Sequence, residues 1–131
     1  MIILNKKYIS EIIEQAEGAA PKEACGILAG KDGEAKKLYK LSNISETPEL
    51  CYLIDPKEQL KVLKEIRRLG LEMTGIYHSH PGSDAYPSAK DIELAFYPDA
   101  SYVIVSLKDR AAPELKAYRI IDGKITEDMI S

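Results

Sequence analysis

The chain has 131 residues and carries 18 Lys and Arg against 21 Asp and Glu, a net charge of −3 with both histidines neutral. That length suits one domain; 45% apolar residues supply one core and exclude disorder, and the mildly acidic balance argues against a nucleic-acid partner. No run approaches the roughly 18 apolar residues of a membrane span, and Lys6 and Lys7 follow the apolar start rather than preceding it, the wrong order for a signal peptide; a cytoplasmic protein away from membranes is expected.

Asn5 is placed to cap a helix from about Lys6 to Glu17, with Tyr8, Ile9, Ile12, Ile13 and Ala16 on one stripe and Gly18 as its stop. After Glu23, the apolar run Ala24 to Ala29 reads as a buried strand. Lys31-Asp32-Gly33 turns it into a second strand, about Ala35 to Leu41. A polar loop, Ser42 to Glu49, leads to a short strand over Cys51 to Ile54. Asp55-Pro56 then has the cap-and-proline form of a helix start, with Leu60, Leu63 and Ile66 on the apolar stripe and Gly70 at the end. Its lysines and arginines alternate with Glu58 and Glu65, as on a solvated helix face rather than a nucleic-acid patch.

Leu71 to His80 predicts a strand, Pro81 to Pro87 a loop, Ser88 to about Tyr97 a short helix and Ser101 to Leu107 a β-branched strand. Leu115 to Ile121 and Lys124 to Ile130, split by Asp122-Gly123, predict a terminal hairpin. The expected architecture is α/β: one mixed sheet flanked by about three helices.

The two cysteines, Cys25 and Cys51, form no CxxC and read as free thiols in a reducing compartment. Cys25 follows Glu23 by two residues and so shares its face if the strand reaches that far; a core role is expected for it rather than a metal bond.

Both histidines of the chain fall in Tyr77-His78-Ser79-His80-Pro81. Residues i and i+2 of a strand face the same way, about 6.6–6.8 Å apart at Cα, so two imidazoles can converge on one ion. A bare HxH is more often a solvated polar pair. Here, however, Pro81 stops the strand and the chain returns at Ser88-Ala89-Lys90-Asp91, which offers a carboxylate in the first turn of a helix. Two His and one Asp leave a fourth position open for water, the pattern of a catalytic zinc site. Ser88-x-x-Asp91 is also a capping box, and a cap would aim the same carboxylate.

The string His78-x-His80-Pro81-x6-Ser88-x2-Asp91 resembles the JAMM (MPN+) metalloprotease motif. Five fixed positions at about 5% each match by chance in on the order of one such chain in 10⁴–10⁵. The motif's remaining glutamate has its counterpart in Glu23-Ala24-Cys25-Gly26, and Tyr52-Leu53-Ile54-Asp55-Pro56 is also similar to the family. The resemblance covers about residues 4 to 121 and implies a single JAMM/MPN+ domain over 1–131 with a cytidine-deaminase-like fold, although the deaminase HxE…PCxxC signature is absent.

The resemblance implies one Zn²⁺ held by His78, His80 and Asp91, with Glu23 as general base and Ser88 as oxyanion donor. No long insertion separates the elements, as in the stand-alone prokaryotic members, which act on ubiquitin-like or sulfur-carrier proteins ending in Gly-Gly. Tyr86 is either a groove-lining aromatic or an exposed loop residue. Three other protein classes share part of this pattern. A facial-triad iron oxygenase would use the same ligand types, usually on an all-β scaffold. A RadC-like hydrolase shares the HxHP…SxxD segment but adds an N-terminal helical region. A non-catalytic MPN scaffold would lack the ligand set. Oligomeric state is not encoded in any recognisable pattern.

Overall fold

The structure, a computed structural model, describes residues 1–131. In chain order it contains α1 (Lys6–Ala19), β1 (Cys25–Lys31), β2 (Glu34–Leu41), α2 (Pro56–Arg68), β3 (Glu72–His80), α3 (Ala89–Glu93), β4 (Ser101–Ser106), β5 (Glu114–Ile121) and β6 (Lys124–Asp128). The six strands form one sheet in the order β2-β1-β3-β4-β5-β6. Every neighbouring pair is antiparallel except β3 and β4, which run parallel.

Local signals account for the element ends. The Asn5 side chain accepts from the Tyr8 N–H at 2.8 Å, and Asp55 accepts from Lys57 N–H at 2.9 Å with Pro56 in the first turn. The β1–β2 and β5–β6 turns place Asp32-Gly33 and Asp122-Gly123 at positive φ, the tight two-residue turn that asparagine, aspartate and glycine tolerate.

Alternation along the strands divides the interior into two layers. Leu28, Tyr77, Val103, Val105 and Ala117 face α1, where Ile12 and Ala16 close the layer. Ile27, Ile76, Tyr102, Ile104 and Tyr118 face α2, where Val62 and Ile66 close it. Strands β1 and β4 are buried on both faces, so they read in sequence as continuous apolar runs rather than alternating ones. Each fully buried Ile or Leu here contributes about 1.5–3 kcal/mol relative to exposure.

The expected strand over Cys51–Ile54 is only a single bridge between Asn43 and Ile54, because a side chain, Asn43, takes the backbone bond a neighbouring strand would have taken. Helix α1 runs through Gly18 to Ala19; its stop is Pro21, which forces Ala20 out of the helical region. Helix α3 ends at Glu93 rather than near Tyr97, since Pro98 disfavours helix at Tyr97 and the Tyr97 N–H is bonded to the Tyr102 hydroxyl at 3.0 Å. Residues Ile2 to Leu4, assigned no element from sequence, pair with Met129–Ser131 and Gly33 and bury Ile2 completely.

Candidate metal centre

The β3–β4 crossover and the entry to β1 meet at one end of the sheet. His78 and His80 are the last alternate residues of β3 and point to the α2 face, following Ile76. Pro81 ends the strand, and the chain turns through 81–87 into α3. The Ser88 hydroxyl there accepts from Asp91 N–H at 3.1 Å, and Ser88 N–H donates to Asp91 Oδ2 at 2.9 Å. The capping box is therefore present, and it holds the carboxylate over the histidines.

Asp91 Oδ2 lies 3.0 Å from both His78 Nε2 and His80 Nε2, and the two nitrogens are 3.1 Å apart. The three atoms form a near-equilateral triangle with edges close to the roughly 3.3 Å expected between ligands of a tetrahedral ion at 2.0–2.1 Å. Two imidazole nitrogens facing each other across such a triangle are poorly served by protons alone, because each hydrogen can satisfy only one edge.

Glu23 completes the cluster. One donor atom from each of Glu23, His78, His80 and Asp91 lies within 4.8 Å of the others, and all four residues are buried. Glu23 Oε1 has no hydrogen-bond partner, nor does His78 Nδ1. A buried unpartnered carboxyl oxygen costs stability, so the arrangement fits a group that supplies a cation and a hydrogen-bonding water. The residues present thus fit a divalent metal of the zinc type.

The electrostatics agree. Burial pushes the Glu23 carboxyl up to about 8, against a smaller opposing effect of His80. Burial lowers the His78 imidazole and outweighs its bond to Asp91. At His80 burial also works against the charge, but the Asp91 and Asp84 hydrogen bonds win and raise its pKa. Asp91 is buried as well, yet the bonds from both histidines hold it far below the usual carboxylate range.

Several neighbours were not singled out as site residues by sequence. The Asp84 carbonyl pairs with His80 Nδ1 at 2.8 Å and fixes that ring, a backbone role with no side-chain signature. Tyr52 stacks on His78 with centroids 4.4 Å apart; its segment shares in the family resemblance, but nothing in the sequence gave it a place at the site. Ser79, between the histidines, points to the other face and accepts from Ala24 N–H at 2.7 Å, tying the start of β1 to β3. A small apolar cleft of about 80 Å³ opens beside Tyr52, between Leu53, Ile54, Leu94 and Phe96.

Cys25 is buried in the α2-side core with its thiol toward the Leu41 carbonyl, and Cys51 is half-buried; both are free. Tyr86 is 56% exposed and packs edge-on against Tyr118. No helix is long and apolar enough to cross a membrane.

The family model described as prokaryotic homologs of the JAB domain matches residues 5–121. A CysO-cysteine peptidase of Mycobacterium tuberculosis is 36% identical over 133 residues, covering 100% of this chain and 90% of the relative. A desampylase of Haloferax volcanii is 41% identical over 101 residues, covering 75% of this chain and 72% of the relative. A solution structure of a Desulfitobacterium hafniense protein superposes with a TM-score of 0.88 at 41% identity, over 100% of this chain and 92% of that one. A JAB1/MPN domain protein of Archaeoglobus fulgidus has the same fold, with a TM-score of 0.65 at 24% identity over 99% and 98% of the two chains. The sheet, the crossover and the matched residues together place this chain in the prokaryotic JAB-domain branch of the JAMM/MPN family, metalloprotease-type hydrolases.

Proposed function

We propose that the chain is a zinc-dependent peptidase that hydrolyses the amide bond after the C-terminal Gly-Gly of a ubiquitin-like or sulfur-carrier protein. The observation that carries this reading is the buried convergence of Glu23, His78, His80 and Asp91. It is supported by relatives named as a CysO-cysteine peptidase and a desampylase, whose names both describe cleavage at a small carrier or modifier protein.

His78, His80 and Asp91 would hold the zinc. When bound, the metal supplies a Lewis acid for the scissile carbonyl and lowers the pKa of water toward about 7. Glu23 takes a proton from the attacking water and returns it to the leaving amine; its buried, unpartnered oxygen is the acceptor. The Ser88 oxygen is used by the Asp91 N–H, so its hydrogen remains free to donate to the developing oxyanion. Asp84, through its carbonyl, keeps the His80 ring oriented. The cleft beside Tyr52 would take an apolar side chain of the incoming tail.

Elemental analysis of untagged protein, with His80→Ala alongside, tests the metal. One zinc per wild-type chain, lost in the variant, is expected. A carrier protein extended past its Gly-Gly by a linear peptide, by a cysteine or by an isopeptide-linked lysine then tests the reaction. Absence of zinc after dialysis against it, or no cleavage of any of the three by the loaded protein, overturns the reading.

A further inference from the structure

Two groups at the centre lack the orientation that hydrogen bonds usually give. His78 Nδ1 and Glu23 Oε1 are both buried and without a partner. Both residues are instead held by one segment, the loop 42–55. Tyr52 of that loop stacks on the His78 ring. The same loop grips the Glu23 backbone from both sides: Glu23 N–H donates to the Pro48 carbonyl at 2.7 Å, and the Glu23 carbonyl accepts from Asn43 Nδ2 at 3.0 Å.

Asn43 is the hub of this arrangement. Its Nδ2 also donates to the Cys51 carbonyl at 3.2 Å, and its Oδ1 accepts from Ser45 N–H and Leu53 N–H, each at 3.0 Å. The amide thus makes four bonds, all it can make. Two close the loop on either side of Tyr52, at Cys51 and Leu53, a third turns the chain at Ser45, and the fourth fastens the closed loop to Glu23.

We infer that Asn43 is a positioning residue for catalysis: it fixes the loop that sets the Glu23 backbone and presses Tyr52 against His78. This rests on Glu23 being the base, as proposed above. It adds a group that touches neither substrate nor metal and acts through the backbone of the residue that moves the proton. Displacing a general base by about 1 Å is enough to lose on the order of 10²-fold in rate.

Two substitutions separate the parts. Asn43→Asp keeps the oxygen that accepts from Ser45 and Leu53 but loses the donations to Glu23 and Cys51. Asn43→Ala loses all four bonds. Amide hydrogen exchange in the zinc-loaded full chain should show faster exchange at Glu23 in both variants. Exchange at Ser45 and Leu53 should speed up only in Asn43→Ala. Zinc content should stay at the wild-type value, because no ligand belongs to the loop. In cleavage of the carrier conjugate, kcat should fall at least tenfold in Asn43→Asp with KM within twofold, and Ser45→Ala should match wild type.

Unchanged exchange at Glu23, whose N–H is held by the Pro48 carbonyl of the same loop, would overturn the claim that Asn43 fixes this loop against Glu23. A kcat within twofold of wild type, or a loss confined to KM, would overturn the positioning role even if the tie is real. If wild-type protein neither holds zinc nor cleaves, the failure belongs to the proposed function and kcat has no meaning. The Glu23 exchange rate still decides whether Asn43 holds that residue.

Discussion

The two faces of β3 are both buried at its C-terminal end and differ in what they bury. On the α1 side, β3 contributes Tyr77 and Ser79, both 1% exposed or less, and their polar atoms are matched within the protein: the Tyr77 hydroxyl donates to Gln15 Oε1 at 2.6 Å and Ser79 accepts from Ala24. On the α2 side the same strand contributes His78 and His80, also nearly fully buried, and there the polar set is left incomplete. Burial alone therefore does not mark a functional site. What marks it is unsatisfied buried polarity gathered with converging ligand atoms, as at Glu23 and His78; the unpartnered Tyr39 and Thr74 hydroxyls belong to no such cluster.

That contrast should break most clearly at Asp91. Asp91→Ala should lose the metal and abolish cleavage; the Ser88 hydroxyl would keep the Asp91 N–H, and only the reciprocal bond from Ser88 N–H would go. Asp91→Asn keeps an acceptor for the Ser88 cap yet removes the anion. Its zinc affinity should fall by more than the roughly 10–100-fold typical of losing an outer hydrogen-bond partner. Titration with a chromophoric chelator measures both, and full zinc retention in Asp91→Asn would reduce the residue to a cap.

On the opposite face the largest effect is structural. A Cβ at Gly26 would collide with the Tyr77 hydroxyl and the Tyr39 carbonyl. Gly26→Ala should cost about 3 kcal/mol, visible as a drop on the order of 10 °C in Tm. Zinc stoichiometry in the folded fraction should be unchanged. If the variant also loses zinc at temperatures where it is folded, the two faces are not independent.

The sequence already carried most of this. The HxHP string, the capping box and the Asp-Gly turns are local and rest on spacing alone, so His78, His80, Ser88 and Asp91 could be grouped before any fold was known. Glu23 was different. It stands before a strand like any surface acid, and only the family resemblance singled it out; its burial arises because its neighbour Ala24 is tied to Ser79 and Glu23 itself to the 42–55 loop, both far away in the chain. Asn43 and the Asp84 carbonyl were illegible for the same reason. Their roles depend on backbone groups brought together by tertiary structure, and backbone groups have no identity in a sequence. The short strand expected at Cys51–Ile54 failed because apolar alternation does not say whether a partner strand exists.

A subtler difference between the faces concerns pH. In metal-free protein the Glu23 carboxyl is raised by burial from 4.5 to about 8. A group raised on folding contributes stability that is fully present below its unfolded pKa and is lost as pH rises through the folded one. Metal-free wild type should therefore lose stability relative to Glu23→Gln between pH 4.5 and about 8, with the Tm difference changing steadily across that window. Parallel melting curves of the two proteins with a chelator present check this, and a Tm difference independent of pH would contradict it. The smallest effect is expected on the α1 side. Tyr77→Phe removes a satisfied hydrogen bond to Gln15 and should cost about 1 kcal/mol in chemical denaturation, with kcat unaffected.

The single parallel pair in the sheet has a further consequence, for the order of assembly. Because β3 and β4 run the same way, the chain must travel back along the sheet between them, and Asp91 lies on that return path. All three proposed ligands therefore sit within one short contiguous stretch, from His78 to Asp91, whereas Ala24 and Ser79, which bring in Glu23, are 55 residues apart in the chain. Contacts of short sequence separation form early and at little entropic cost, and distant ones wait for the sheet. Under the proposed roles, a nascent or partly unfolded chain can gather an ion but has no base beside it. Proteolytic competence would then wait for the β1–β3 pairing, so a chain that has gathered only the ion stays inactive.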